Sequence, residues 1–433
     1  SYTMRFMKNV YTVREGSEGN YTYKYLLPEN GGKLKSVNAR GRHWTARAQA
    51  NYSEYFGKHS VDVIAGLEFR QTRSWGTRNM LFGYNDQHQT HASTTVSYPD
   101  LYAMRQTNYF KPKYYARDYI YNSLIEPQVG LVRENMQRYA SGYVNATYVY
   151  DKRYNSFASF RRDFTDMFGL KAKYRGKPLW SAGLGWNVHN EQSMKEVGWV
   201  NFLKVRATYG VTGNIYHGAT SYMTASTTRN NSITKQPMSI IQTPENPLLK
   251  WEQTATFNAG IDFQLFDRRL TGSLDWYRKK TTDLFSQVPV ESTKGYNFLI
   301  MNAASMVNNG LELNLSYDWT KPRGRDGFYW NTEIVVSYNK NRVTEILEQP
   351  KTIGDLVDGG FMIDKPINSL FSARFAGIDG GWPTWYKADG TTDRRLDVSD
   401  METMVYSGHE DPSTNISLSN FISYKGFSLN ILM

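Results

Sequence analysis

Cysteine is absent from the 433-residue chain, so no disulfide framework holds the fold. That absence suits an extracytoplasmic barrel, whose closed hydrogen-bond ladder needs no crosslink, although many cytosolic chains also lack cysteine. No apolar run approaches the ~20 residues of a transmembrane helix, and no helix-period segment of useful length appears. A helical membrane protein is therefore excluded. The mean hydropathy of −0.59 does not exclude a membrane protein made of strands, because half of each strand's residues then face water. Catalytic constellations are missing too. The seven histidines (His43, His59, His88, His91, His189, His217, His409) form no zinc-ligand pattern, and the chain has no GxSxG, P-loop or dinucleotide fingerprint. Asp163 and Asp166 are a possible acid–base pair only by proximity in sequence, and the reading is that the chain is not an enzyme. The net charge of +11 is scattered over corners and polar strand faces instead of forming one stripe, which argues against nucleic acid. No cofactor is expected.

What the chain does have is alternation. Trp251 to Leu265 places Trp251, Ala255, Phe257, Ala259, Ile261, Phe263 and Leu265 on one face, with Gln253 the polar exception. Glu252, Thr254, Thr256, Asn258, Asp262 and Gln264 stand on the other. After the corner Asp267-Arg268, the pattern resumes with Leu270, Leu274 and Trp276 against Thr271, Ser273, Asp275 and Tyr277. This is a hairpin with one apolar face, and each arm reaches the ~9–11 residues a tilted strand needs to cross a bilayer core. A β-sandwich is the soluble alternative, but strands this long are uncommon there. Phe257, Ile261 and Phe263 are expected to face lipid; Thr256, Asp262 and Gln264 are expected to face the lumen, and arginine is expected to be tolerated better at Asp262 than at Ile261.

The same period recurs along the chain. It groups Trp44 with Tyr52, Val61 with Phe69, Val144 with Tyr150, and Tyr154 with Phe160; it also groups Trp180 with Trp186, and Leu203 with Tyr209. Beyond the hairpin it covers 307–319, 328–339, 416–424 and 427–433. With weaker candidates the count is roughly fourteen strands. Tight corners at Asp151-Lys152, Asp267-Arg268 and Lys425-Gly426 alternate with long excursions at about 79–139, 213–250 and 379–415. Short periplasmic turns and long extracellular loops are what outer-membrane barrels show, so all three corners are expected at one end. Residues 1–433 then read as one partial outer-membrane β-barrel domain: Ser1 enters what already reads as a strand without a signal peptide, and the strand 427–433 has no following partner.

Several stretches carry a resemblance. NFLKVRATYGVTGN (201–214), residues 246–285, DKRYNSFASFRRD (151–163), KPLWSAGLGWNV (177–188) and NNGLELNLSYDW (308–319) resemble the barrel of the SusC/RagA family of TonB-dependent transporters. Residues 365–390 look like that family's loop with its Gly-x-Pro and acidic-Gly pattern, and 411–432 is similar to a strand pair near its C-terminal quarter. The resemblance covers most of 140–433; residues 1–139 fit by pattern only. It implies an all-β fold, part of a transmembrane antiparallel barrel of about 22 strands. It also implies TonB-driven import of oligosaccharides or oligopeptides across the bacterial outer membrane, with a SusD-like surface lipoprotein as partner. The family's N-terminal plug and TonB box are not in this chain, so TonB would be engaged through a part outside it. A passive porin and a surface-binding barrel or adhesin are the alternatives. For substrate contacts, Trp382, Trp385 and Tyr386 lie in a Gly- and Pro-punctuated loop whose rings suit sugar or peptide stacking, or else anchor the loop. Tyr109 and Tyr114, with Tyr102, Phe110 and Tyr115, carry the same ambiguity in the first long loop, and Lys111, Lys113 and Arg117 suit anionic groups. No metal site is expected.

Overall fold

The computed structural model describes residues 12–91 and 131–433, excepting 18–19, 26, 29, 167–175, 217–220, 231–236, 291–292, 294–295, 297, 322–325, 351–352, 354–355, 357–360 and 396–402. By its contacts the chain falls into two units, residues 1–45 with 70–138 and residues 46–69 with 139–433. The strands in order are β1 (Thr12–Ser17), β2 (Asn20–Tyr25), β3 (Gly32–Phe56), β4 (His59–Tyr84), β5 (Leu131–Tyr150), β6 (Tyr154–Thr165) and β7 (Gly176–Asn187). They continue with β8 (Val200–Asn214), β9 (Thr224–Asn230), β10 (Pro237–Thr243), β11 (Glu252–Leu265), β12 (Leu270–Pro289), β13 (Phe298–Asp318) and β14 (Tyr329–Ile346). The last seven are β15 (Ser369–Ala373), β16 (Phe375–Asp379), β17 (Trp382–Tyr386), β18 (Thr392–Asp393), β19 (Met404–His409), β20 (Thr414–Tyr424) and β21 (Phe427–Leu432).

Twelve of these form one antiparallel sheet in the order β21-β20-β14-β13-β12-β11-β8-β7-β6-β5-β4-β3, an unbroken meander with β21 and β3 at its two ends. All twelve strands carry the alternating segments seen in the sequence. Their lengths differ from expectation. β4 runs on to Tyr84 and β5 starts at Leu131, so the described parts of the expected loop 79–139 are largely strand, while 92–130 lies outside the described residues. β14 runs seven residues past the expected 339, to Ile346. In these extensions the apolar residues are few, and Met80 and Phe82 on β4 and Val343 on β14 are buried, so no exposed apolar row continues through them.

The register explains why the alternation matters. One cross-strand row reads Trp186, Val205, Ile261, Leu274, Leu313, Val336 and Ile416 over seven neighbouring strands. The residues one step away on the other face read Arg206, Gly260, Asp275, Glu312 and Ser337. A one-residue slip of β8, β11, β12 or β13 can put a charge among the apolar side chains, so the rows lock each other in register. The apolar rows are open to the surroundings: Phe257 is 37% exposed, Trp276 44% and Ile416 68%. An apolar surface continuous over so many strands far exceeds what a soluble monomer leaves to water. Phe263 shares that face but is half-buried, because its ring lies across Gly272, its partner on β12.

The short corners lie at one end of the sheet, as antiparallel alternation requires. They also touch one another. The Asp151 N–H donates to the Lys58 carbonyl at 2.7 Å, Phe266 N–H to the Trp199 carbonyl at 2.8 Å, and Asp318 N–H to the Arg269 carbonyl at 2.8 Å. Arg153 reaches Asp151 at 2.7 Å and Glu191 at 2.9 Å, and Lys321 reaches Asp267 at 3.1 Å. Glu191 further accepts from the Trp186 indole at 3.0 Å and the Tyr154 hydroxyl at 2.8 Å. These donors, the Trp186 indole first and then Tyr154 and Arg153, hold the Glu191 carboxyl below its ordinary value. A depressed carboxylate stabilises the fold above its unfolded pKa of ~4.3 and stops doing so as pH falls through the lower native value. The melting temperature of the wild type is therefore expected to drop more than that of Glu191→Gln between neutral and strongly acidic pH. Parallel melting curves for the two over that range would contradict the assignment.

Candidate functional site

The excursions at the opposite end hold the candidate binding residues, and they are not bare loops. Between β8 and β11, β9 pairs with β10; between β14 and β20, β15 pairs with β19, and β16, β17 and β18 form a three-stranded sheet. The expected loop 379–415 thus begins inside β16 and ends inside β20, and the whole excursion opens earlier, after Ile346. Likewise the expected loop 213–250 contains the last residues of β8 and the β9–β10 hairpin. At the base of that excursion Leu249 and Trp251 are buried, with Ile215, Phe285 and Ile300 packed against them.

The β16–β17 hairpin turns on Gly380 and Gly381, with φ of +54° and +82°. Two positive φ values in a two-residue turn match the twist of the flanking strands, and glycine reaches them without strain. The turn presents Trp382 at the hairpin tip. It is 64% exposed and stacks on no other ring among the described residues. Trp385 is different: its ring meets Phe375 edge-on at 5.7 Å across the hairpin. Tyr386 lies beneath the Arg374 guanidinium at 4.7 Å, and its N–H donates to the Arg374 carbonyl at 2.9 Å. Of the three rings picked out in the sequence, two anchor the loop and one is free. Tyr109 and Tyr114 lie outside the described residues.

Ion pairs brace the same small sheet. Arg394 holds Asp379 at 2.8 Å and Lys387 holds Asp393 at 2.7 Å. Asp389 accepts from the Thr391 hydroxyl at 2.6 Å and from the Thr391 N–H at 2.8 Å. Those bonds keep the Asp389 carboxyl below its usual range, and the Lys387 bridge does the same for Asp393.

On the polar face of the main sheet stands a charge network that sequence reading did not assemble. Arg206 on β8 donates to Asp262 on β11 at 3.1 Å, to Asp275 on β12 at 2.6 Å and to Asn258 at 3.2 Å. Gly260 makes the room: a Cβ there would stand 2.6 Å from an Asp275 oxygen and 2.8 Å from the Arg206 guanidinium carbon. Asp262 does face away from the apolar rows, as expected. Arginine at this position would set two guanidinium groups side by side, a cost that the comparison with Ile261 has to include.

A wall that is apolar and exposed on one face, charged and cross-bridged on the other, with short corners at one end and built-up excursions at the other, is half of a membrane-barrel description. The other half is ancestry. The family described as TonB dependent receptor-like, beta-barrel matches residues 5–429. The chain belongs to that family. Its TonB-dependent receptor relatives include P39 of Formosa agariphila, 31% identical over 346 residues, which are 76% of this chain and 28% of P39. SusC of Bacteroides thetaiotaomicron is 27% identical over 267 residues, 58% of this chain and 26% of SusC. The solved RagAB peptide transporter has the same fold, with a TM-score of 0.68 at 22% identity, covering 92% of this chain and 41% of the transporter chain. This receptor barrel chain thus spans between a quarter and two fifths of the proteins it resembles. Receptors of this family reside in the outer membrane, and the exposed apolar rows are the lipid-facing wall of the barrel.

Proposed function

We propose that the chain is barrel wall of a SusC/RagA-type importer that takes oligosaccharides or oligopeptides across the outer membrane with energy delivered by TonB. The observation that carries this reading is the family match over nearly the whole chain, joined to relatives such as SusC. In this reading the corner end is periplasmic and the excursions are extracellular. A SusD-like lipoprotein sits over the excursions, and TonB acts through a part of the receptor outside residues 1–433. Trp382 is the ring that stacks on substrate; Trp385 and Tyr386 hold it in place. Tyr109 and Tyr114 belong to the same proposal as further contacts.

The test is uptake by the full-length receptor in its host. Deletion of the gene should abolish growth on the oligosaccharide or peptide mixture it serves, and full-length receptor should restore it only while TonB is intact. Restored uptake without TonB would make the protein a passive porin, and surface binding without uptake would make it an adhesin. Trp382→Ala is expected to raise the half-saturating substrate concentration by about threefold to tenfold, since one aromatic contact is worth roughly 0.5–1.5 kcal/mol beyond area burial. Melting should be unchanged in that variant, because Trp382 touches no ring. Trp385→Ala should loosen the loop instead, seen as faster proteolysis between β14 and β20. Uptake curves for Trp382→Ala that superimpose on wild type would remove Trp382 from the site.

A further inference from the structure

On β12 the outward residues run Leu270, Leu274, Trp276 and then, toward the excursion end, Arg278 and Lys280. On β14 they run Ile334, Val336, Tyr338 and then Lys340 and Arg342. The register through β13 aligns the change. Trp276, Leu311 and Tyr338 share one row; Arg278, Asn309 and Lys340 share the next; Lys280, Val307 and Arg342 share the one above. Apolar wall gives way to cations at the same height on both strands. Two strand spacings and one two-residue step set the four Cα positions in a frame of roughly 10 by 7 Å, within reach of long side chains converging on one anion. All four cations are exposed. Among the described residues Arg278, Lys280 and Lys340 make no ion pair, while Arg342 meets Asp364 at 3.4 Å.

Beside this frame a cleft of about 320 Å3 is lined by the cations Lys340, Arg342 and Lys365, by Tyr406 and His409, and by the carboxylates Asp364 and Asp411. Lys365 lies over the Tyr406 ring at 4.6 Å, and Asp411 accepts from the Asn368 side chain at 2.8 Å. Positive charge is therefore in excess here, and Arg278, Lys280, Lys340 and Arg342 share the face of the rows built for acyl chains and lie directly beyond them. A soluble anion on its way through the lumen does not meet this face. An anionic group fixed to acyl chains does, because its chains lie along Trp276, Leu311 and Ile334 while its charge reaches the cations.

We propose that this patch binds the phosphate groups of a phosphorylated, acylated glycolipid in the outer leaflet. The leaflet rests on the reading that the excursion end is extracellular. The experiment uses full-length receptor in phosphatidylethanolamine nanodiscs, titrated with lipid A, dephosphorylated lipid A or inorganic phosphate, and read by native mass spectrometry and melting. Wild type should retain lipid A, more weakly as salt rises, and gain melting temperature. The Arg278→Gln, Lys280→Gln, Lys340→Gln triple variant should bind at least about tenfold more weakly, since three cations near the anionic surface are lost. The charge-keeping triple Arg278→Lys, Lys280→Arg, Lys340→Arg should bind as wild type does, which separates lost charge from lost folding. Equal retention of lipid A by the Gln variant, equal retention of the dephosphorylated lipid, or equal stabilisation by inorganic phosphate alone would overturn the site. Uptake in cells is read separately, so failure of the import reading leaves this binding result standing. Labelling of Asn309→Cys only after cells are permeabilised would overturn the outer leaflet.

Discussion

Replacing Ile261 with arginine in the full-length receptor is expected to cost about 2–4 kcal/mol of folding free energy if the site lies near the bilayer midplane. Ile261 sits within β11, between Val205 on one side and Leu274 on the other, and its 40% exposed side chain meets lipid. A guanidinium there has no water, no carboxylate and no short path to the headgroups. The matched control is Gln264→Arg, three residues on and on the opposite face. That side chain opens toward a polar surface shared with Asp262, Thr271, Ser273 and Glu333, where a charge is met by polar groups instead of acyl chains. Its cost is expected within about 0.5 kcal/mol, like an ordinary surface change. Urea unfolding of both variants in lipid vesicles checks the pair. Equal losses would mean that β11 does not present Ile261 to lipid.

The second large effect is at the charge network. Arg206→Leu leaves Asp262 and Asp275 facing each other on adjacent strands with no cation between them. Losing charged hydrogen bonds at partly buried groups costs about 1–3 kcal/mol, and the partial exposure of these side chains argues for the lower half of that range. Gly260→Val should do comparable damage by a different route, since its Cβ alone would press on both Arg206 and Asp275. Because both variants break one network, their costs should not add in the double variant. Additive costs would separate Gly260 from the network.

How much of this was legible in the sequence follows from what lipid demands. Every strand of the main sheet announced itself, because one face had to be apolar where it meets acyl chains, and the polar corners marked the turns. The upper reach of β4 is not legible: from Arg70 to Asn79 polar residues fall on both faces, and Met80 and Phe82 are buried instead of extending a lipid-facing row. The β16–β18 sheet reads as loop because its strands are only two to five residues long, too short to show a period. The Gly380-Gly381 turn was its one clear signal, and it lay in plain view. Trp382, Trp385 and Tyr386 looked alike in sequence, since composition cannot tell a free ring from one packed on Phe375 or under Arg374. Arg206 was invisible as a partner of Asp262 because 56 residues separate them, and only the β8–β11 register brings them together. Membership of the receptor family is legible from scattered motifs, most of which are strands of the twelve-stranded sheet and one of which, 365–390, lies in the excursion between β14 and β20.

The arrangement stands or falls on which end of the wall faces outward. The chain has no cysteine, so single cysteines placed in it in full-length receptor report cleanly within this region. Thr391→Cys, in the turn between β17 and β18, and Asp267→Cys, at the corner between β11 and β12, are to be labelled in intact cells with a membrane-impermeant maleimide. The account predicts labelling at 391 in intact cells and at 267 only after the outer membrane is permeabilised. Labelling of 267 in intact cells with 391 protected would contradict it.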